Sequence, residues 1–289
     1  MKIRFLYILI LIYVLQGCFN NKKINQFEKF AQAGNIYSNT LMVLSEEAGN
    51  IAIDVDSYIL VNLKANGVSK DDRINSYKLH DKNLNSYLSE LRLFREHSTL
   101  LKKYFNTLIL MTDSEASTSI VDVSTGLVDQ LQSISPSIES AKIGGTPIKG
   151  FLTKSIPFVV SSYKSRILEH EFKKHAVLIE KELNLQQAFL EALAEGLEAD
   201  IQDLLKFKEY ELVIKQYIND KPLPRNWIDK RHQLLSPIVV MGSIENAIGA
   251  AKKLRENYML LAQNKITISD INDLYIEINA MLDVIELVK

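Results

Sequence analysis

The stretch FEKFAQAGNIYSNTLMVLSEEAGNIAIDVDSYILVNLKA, residues 27–65, decides how this chain folds. Its Phe27, Phe30, Gly34, Tyr37, Leu41, Leu44, Ala48, Ile51, Val55, Tyr58, Asn62 and Ala65 recur at alternating steps of three and four. Such steps return to one side of an α-helix, and a seam this long is what bundle or coiled-coil packing needs. Only Gly34 and Asn62 depart from the apolar and aromatic set. Gly34 is either a close-packing point or a break, and the unbroken phase across it favours continuity. Asn66-Gly67 supplies the stop.

Beyond that stop the pattern repeats. Ser69, followed by Asp71 and Asp72, is a helix N-cap with negative charge in the first turn. A second seam then runs through Leu84, Tyr87, Leu91, Phe94, Ser98, Leu101, Phe105 and Leu108. The short link favours an antiparallel neighbour within the chain, although a second copy would satisfy the seam as well. A break near Thr112–Ser117, with Asp113 and Ser114 as caps, leads to a third segment with Ile120, Val123, Leu127, Leu131 and Ile134. It is expected to end at Ser135-Pro136, because proline removes a helical hydrogen bond.

Residues 141–157, AKIGGTPIKGFLTKSIP, hold three glycines and two prolines and read as a loop. A long helical stretch is expected from about Phe158 to Asn219. At about 1.5 Å per residue it would reach roughly 90 Å unbroken, so it is either rod-like or kinked near Asn184 or Gly196. Pro222 and Pro224 mark a turn. A short helix over Trp227–Leu235, a restart at Ser236-Pro237, a helix over Ile238–Ala262 and a last one capped by Ser269 complete the pattern. That last helix places Ile271, Leu274, Ile278, Leu282 and Ile285 on one face. Gly and Pro are sparse, 11 and 6, which argues against an all-β fold dense in turns. The expectation is an all-α, elongated bundle of about six or seven helices with long antiparallel coiled-coil-like hairpins. It occupies residues 24–289, and residues 222–289 could stand as a C-terminal helical subdomain.

Upstream of the seam lies MKIRFLYILILIYVLQGC, residues 1–18. Lys2 and Arg4 precede an apolar run from Phe5 to Leu15, which closes on Leu15-Gln16-Gly17-Cys18. A basic start, a short apolar run and a small residue before the cut describe a secretory signal peptide. As a helix the run rises roughly 16 Å, against a hydrocarbon core of about 30 Å, too short to span. The ending resembles the lipobox of bacterial lipoproteins. That resemblance implies a leader, residues 1–17, cleaved between Gly17 and Cys18, diacylglycerol on the Cys18 thiol and an acylated new amino terminus. In enterobacterial lipoproteins an Asp after the Cys favours the inner membrane. Phe19 stands there, so the resemblance implies the outer membrane if the source has one. Residues 18–23 then form the lipidated end and a short tether, which keeps the bundle close to the bilayer. The order of lipobox, seam helices, Gly-rich loop and long charged helix is similar to uncharacterised helical lipoproteins of proteobacteria, which transfers no activity.

Cys18 is the only cysteine, so once lipidated it leaves no thiol for a disulfide or a thiolate metal site. Removing Lys2 and Arg4 takes the formal charge from −1 to −3. A weakly acidic chain lacks the basic field of a nucleic-acid binder, and no nucleic-acid partner is expected. Membrane affinity must then come from the acyl chains, two or more of which anchor stably.

Motifs for chemistry fall short. His170-Glu171-Phe172-Lys173-Lys174-His175 resembles a zinc-protease helix, but its histidines are five apart, roughly 140° around the helix rather than on one face, which favours a surface helix. Asp229 and His232 give one half of a di-iron spacing, with Asp where Glu is needed. Gly145 and Gly150 have phosphate-loop spacing, but Phe151 and Leu152 replace the Lys and Ser/Thr that meet the phosphates. Glu191, Glu195, Glu198 and Asp200 read as a solvated face, with Lys206 and Lys208 nearby. Glu169/Lys173 and Glu211/Lys215 are i,i+4 pairs worth tenths of a kcal/mol. No catalytic residue, metal ligand or cofactor is therefore assigned. The expected role is a non-enzymatic protein-interaction or scaffold component of the cell envelope, held in the lipid bilayer through Cys18, with an unidentified protein partner. Two alternatives stand beside it. One is a membrane-active, toxin-like protein inserting Gly150–Val160, a stretch more simply read as a staple at a bundle end. The other is an enzyme or ligand carrier with a site between helices.

Overall fold

The computed structural model describes the backbone of residues 2–65, 67–112, 118–155, 158–163 and 166–286. Within these, side chains are described except at 2–22, 65, 118, 200, 203, 206, 207 and 284–286. The long seams become α1 (Lys2–Ala65) and α2 (Lys70–Leu110), followed by α3 (Thr118–Ser140), the strands β1 (Lys142–Ile143) and β2 (Thr146–Pro147) and a 3-10 turn at Ile148–Gly150. Then come α4 (Arg166–Glu209), a π turn at Tyr210–Ile214, α5 (Lys215–Tyr217), α6 (Trp227–Ala262) and α7 (Ile268–Glu286). The fold is an all-α bundle.

The two seams meet each other inside the chain. Gly34 abuts Phe105, Asn35 donates to Asn106 Oδ1 at 2.6 Å, Lys102 donates to Asn39 at 2.8 Å, and His80 reaches Asp56 at 2.7 Å. Partner numbers fall as α1 climbs, so α1 and α2 are antiparallel. Seam residues Phe27, Phe30, Tyr37, Leu41, Leu44, Ala48, Ile51 and Val55 are all buried, while Tyr58 and Asn62 are half-buried where the hairpin outruns its neighbours. Gly34 is the close-packing point: a Cβ there would lie 2.6 Å from the Phe105 ring. Ser69 caps α2 as expected, its hydroxyl accepting from Asp72 N–H at 3.2 Å. The proposed caps Asp113 and Ser114 lie outside the described residues.

The connection between α3 and α4 sets the topology. Thr125 meets His175 at 3.1 Å and Ser135 meets Glu182, so numbers rise together and the two helices are parallel. Parallel neighbours need a chain that returns along the bundle. It turns first in the β1–β2 hairpin, where Gly144 and Gly145 take φ of +58° and +87°, a two-residue turn that glycine favours. The crossover then descends: Thr153 bonds Asn184 in mid-helix, and lower down Ser161 donates from N and Oγ to the Ala262 and Gln263 carbonyls at 3.0 and 2.7 Å. Tyr163 OH donates to the Leu261 carbonyl. α6 runs antiparallel to α4, and α7 returns along α6, with Asn257 donating to the Asp270 carbonyl at 2.7 Å and Asn246 to that of Ala280 at 3.3 Å. Both α6 and α7 contribute to the same contiguous core as α1–α4.

Several boundaries differ from the sequence expectation. α3 continues through Pro136 to Ser140, and α6 is one helix through Ser236-Pro237. In both, proline costs one backbone hydrogen bond, but the freed carbonyl belongs to an exposed residue, Gln132 or Gln233. α4 begins at Arg166, not Phe158, because 158–163 are drawn out in the crossover. It has no break at Asn184 or Gly196. Its irregularity is the π turn, where Trp227 Nε1 donates to the Val213 carbonyl at 3.1 Å and the indole stacks on Tyr217. Val123 is 57% exposed, and α3 instead buries Val121, Ser124, Val128 and Leu131. Thr267, rather than Ser269, caps α7: its hydroxyl accepts from Asp270 N–H at 3.2 Å while Asp270 Oδ2 accepts from Thr267 N–H at 2.8 Å.

Candidate functional site

From Glu182 to Leu190, α4 is buried on every side, by α2, α3, α6 and the crossover. A helix enclosed this way is expected to be apolar throughout. This one carries Glu171, His175, Glu180, Glu182, Asn184, Gln186 and Gln187 among its buried residues. Desolvating that many polar groups is costly unless each finds a partner.

Most do, and most of the partners come from other elements. Glu180 accepts from Arg255 Nε at 2.7 Å and pairs with Nη2 at 2.6 Å, joining α4 to α6. The remaining Arg255 nitrogen, Nη1, donates to Thr153 Oγ1 at 2.6 Å, and Thr153 donates to Asn184 Oδ1 at 2.8 Å. Asn184 Nδ2 returns a bond to the Thr153 carbonyl at 2.7 Å, closing the crossover onto α4. Glu182 Oε2 accepts from His97 Nε2 on α2 at 2.9 Å and from Ser135 Oγ on α3. Gln186 donates to Ser98 Oγ at 3.1 Å. These contacts fix the rotation and height of α4 relative to its neighbours, which apolar packing alone leaves looser.

Glu171 is the exception. Its carboxyl is fully buried near the hydroxyls of Tyr104 and Ser124, yet neither closes a hydrogen bond of good geometry with it. The Tyr104 and Tyr258 hydroxyls bond each other instead, at 2.9 Å. Burial pushes the Glu171 carboxyl above the ordinary carboxylate range, and the nearby Ser124 and Tyr104 hydroxyls and Lys174 offset the shift only in part. Burial and the adjacent Lys174 likewise depress His175. The surface-helix expectation therefore holds for exposed His170 and fails for Glu171 and His175, which face the interior.

One arrangement invites comparison with a hydrolytic triad, and its order is wrong. Ser135 and His97 both bond to one oxygen of Glu182, so the carboxylate stands between the hydroxyl and the imidazole. A nucleophilic serine needs the imidazole in the middle, to take its proton. The cluster does, however, border a cleft of about 310 Å³ lined by Ser135, Glu139, Leu152, Thr153, Ser155, Lys181, Glu182, Asn184 and Leu185. A larger hollow of about 500 Å³ lies between the α1–α2 hairpin and the β-turn, lined by Val55, Asp56, Ile59, Leu84, Tyr87 and Lys142 among others.

The remaining sequence candidates separate widely. Asp229 and His232 are exposed at the start of α6. Gly145 turns the hairpin, and Gly150 ends the 3-10 turn beside half-buried Phe151 and Leu152. Glu195 and Glu198 are exposed and Glu191 accepts from Gln187 at 2.9 Å; the Asp200 side chain lies outside the described ones. Among the described residues no three His, Cys, Asp or Glu side chains gather as a metal site. Both i,i+4 pairs form. In the stretch Gly150–Val160, Phe151, Leu152, Phe158 and Val160 pack on the core, whereas Val159 is 86% exposed and residues 156 and 157 lie outside the described ones. Leu15, Gln16, Gly17 and Cys18 lie outside the residues whose side chains are described. Among the described residues α6 is the one helix long and apolar enough to cross a membrane, a property shared by core helices, and its Ile244, Ala247, Leu254 and Tyr258 fill the core.

The polar residues of α4 were not legible as a site, because the partners from other elements lie 31 to 88 positions away. The one hint in sequence was a run, ELNLQQAFLEAL, that offers no continuous solvated face. No protein-family model, curated protein or solved structure matches the chain.

Proposed function

We infer that this chain is a lipid-anchored helical protein of the bacterial cell envelope that works by binding other proteins rather than by catalysis. The lipobox-like Leu15-Gln16-Gly17-Cys18 motivates the anchor, and Phe19 favours an outer-membrane address. The observation that carries the binding role is the distribution of exposed apolar side chains. α1 leads from Lys23 at the base of the bundle to Ala65, about 60 Å away. That far end, where α1 gives way to α2 and α5 to α6, exposes Val61, Tyr77, Leu79, Tyr217, Ile218 and Ile228, each by more than half. Most of the exposed large apolar residues lie in this half. Concentrations of exposed apolar and aromatic side chains mark contact surfaces, and an anchor at the base would present this one to other envelope components.

The test joins anchoring to contact. Photo-crosslinking residues placed at Tyr77 and Tyr217, and at Val123 and Ile276 near the base, are irradiated in cells. Discrete adducts from the far-end positions alone, lost when Cys18→Ser abolishes palmitate labelling and membrane fractionation, are expected. Retention of the label by Cys18→Ser refutes the anchor, and equal adducts from both ends refute the contact surface.

A further inference from the structure

We propose that the cleft between α3, α4 and the crossover is a binding site for a small primary-ammonium compound, with Glu182 as the group that receives the ammonium. This is independent of the contact surface at the far end, since the cleft lies at mid-height on the flank.

Glu182 is 6% exposed, so its carboxylate is almost wholly removed from water, yet it borders the cleft. Its Oε2 is committed inward, to His97 Nε2 and Ser135 Oγ. These two donors hold Oε2 from the inner side and fix the orientation of the carboxylate. The side of the carboxylate left open is the one that borders the cleft. Glu139 stands on its lining with the same sign, and among the described residues Lys181 is the cationic side chain that lines it, exposed to solvent.

Both walls are set before anything binds. His97 and Ser135 fix the Glu182 side. Opposite, Thr153 and Asn184 hold each other by two bonds, of 2.8 and 2.7 Å, and Arg255 holds Thr153 at 2.6 Å. A fixed acceptor in a partly desolvated cleft binds a cation better than a mobile surface carboxylate does, because less ordering is required. At about 310 Å³ the cleft suits a small molecule. Among the described lining side chains two carboxylates stand against one ammonium, an excess of negative charge. An ammonium on Glu182 answers that charge, and the same group is carried by linear diamines and by amino acids, whose carboxylate would turn to Lys181.

The test uses the full-length chain in detergent and isothermal calorimetry with 1,4-diaminobutane, L-ornithine and 1,4-butanediol. The first two share the ammonium and differ by one carboxylate, and the third lacks the charge. Binding of at least one ammonium probe at concentrations up to about 10 mM, without binding of the diol, is expected. Glu182→Gln should weaken it by about tenfold or more, the loss expected for a charge-assisted bond. Ser155→Phe, which blocks the cleft from its lining, should abolish binding with the circular dichroism unchanged, and decides the matter if Glu182→Gln fails to fold. Lys181→Ala separates the sources, weakening ornithine if the carboxylate is recognised and strengthening the diamine if it is not. No binding of either ammonium probe, equal binding of the diol, or undiminished binding to folded Glu182→Gln or Ser155→Phe overturns the proposal.

Discussion

Replacing Gly34 by alanine should destabilise this protein although alanine is the better helix former. A Cβ at position 34 would stand 2.6 Å from Cδ1 and Cε1 of Phe105 and 2.7 Å from Cγ. Carbon contacts are comfortable at about 3.5–4.0 Å, so the helices must separate by roughly 1 Å or the ring must turn. The ring is poorly placed to turn: it is fully buried, edge-on to Phe30 with centroids 6.0 Å apart and edge-on to Tyr104 at 5.9 Å. Overpacking of this kind costs about 1–3 kcal/mol. Helix propensity returns up to about 1 kcal/mol, which leaves a net loss centred on about 1 kcal/mol. Gly126, in α3, provides the matched control, since a Cβ there meets nothing within 4 Å. Gly126→Ala should stabilise by about 0.5–1 kcal/mol through propensity alone. Urea unfolding followed by circular dichroism compares the two directly, and in heat the pair should differ by roughly 4–10 °C. A Gly34→Ala protein as stable as the parent, or more so, would refute the close-packing argument and leave Gly34 without a structural reason.

Arg255→Met should cost about 3–5 kcal/mol, because it strands the Glu180 carboxylate, whose side chain is 1% exposed; adding Glu180→Gln should recover most of the loss, and a fully stable single variant in urea would contradict this. Burial pushes Glu90 up to about 6 from an ordinary 4.5, against the opposing hydrogen bonds of the Lys142 backbone and Ser86, and raises Glu171 in the same sense. Folded-state values above the unfolded ones mean that the native state holds these protons more tightly. Their contribution to stability is full below the ordinary carboxylate range and is lost as pH rises, through about 6 for Glu90. Glu171→Gln and Glu90→Gln should therefore raise the melting temperature at neutral pH by an amount that vanishes in acid, and a gain confined to acid would reverse the sign. Pro136 is exposed inside α3, so Pro136→Ala should restore one helical hydrogen bond and stabilise by about 1–2 kcal/mol, less what the freer unfolded chain takes back; a lower urea midpoint would show that the proline ring is itself needed.

The helical fold and its first hairpin were legible because a 3-4 seam is a local property: each apolar residue on α1 implies the face it must bury, whatever lies opposite. Helix ends were legible where a side chain caps the backbone within three residues, as at Ser69, and misread where two hydroxyls competed, as at Thr267 and Ser269. Two prolines overstate the breaks in the helical pattern. Pro136 reads as a stop and Pro237 as a restart, yet one missing hydrogen bond is tolerated when packing holds the helix on either side. At the start of α4, residues 158–163 carry apolar side chains that suit a helix, but the parallel placement of α3 and α4 requires them to span the bundle instead.

Sequence by itself determined that this chain makes long helices, that its first two carry long apolar seams joined by a short link, and that its single cysteine sits in a lipobox-like context. Each follows from neighbours within a few positions. Tertiary structure decided that α4 is enclosed on every side, which turns Glu180, Glu182 and Asn184 from ordinary helix-surface residues into buried groups that need partners. It decided as well that Arg255, His97 and Thr153 are those partners. A charge in a sequence has no fixed cost; its cost is set by how much water the rest of the fold removes from it, and that depends on residues that are distant until the chain folds.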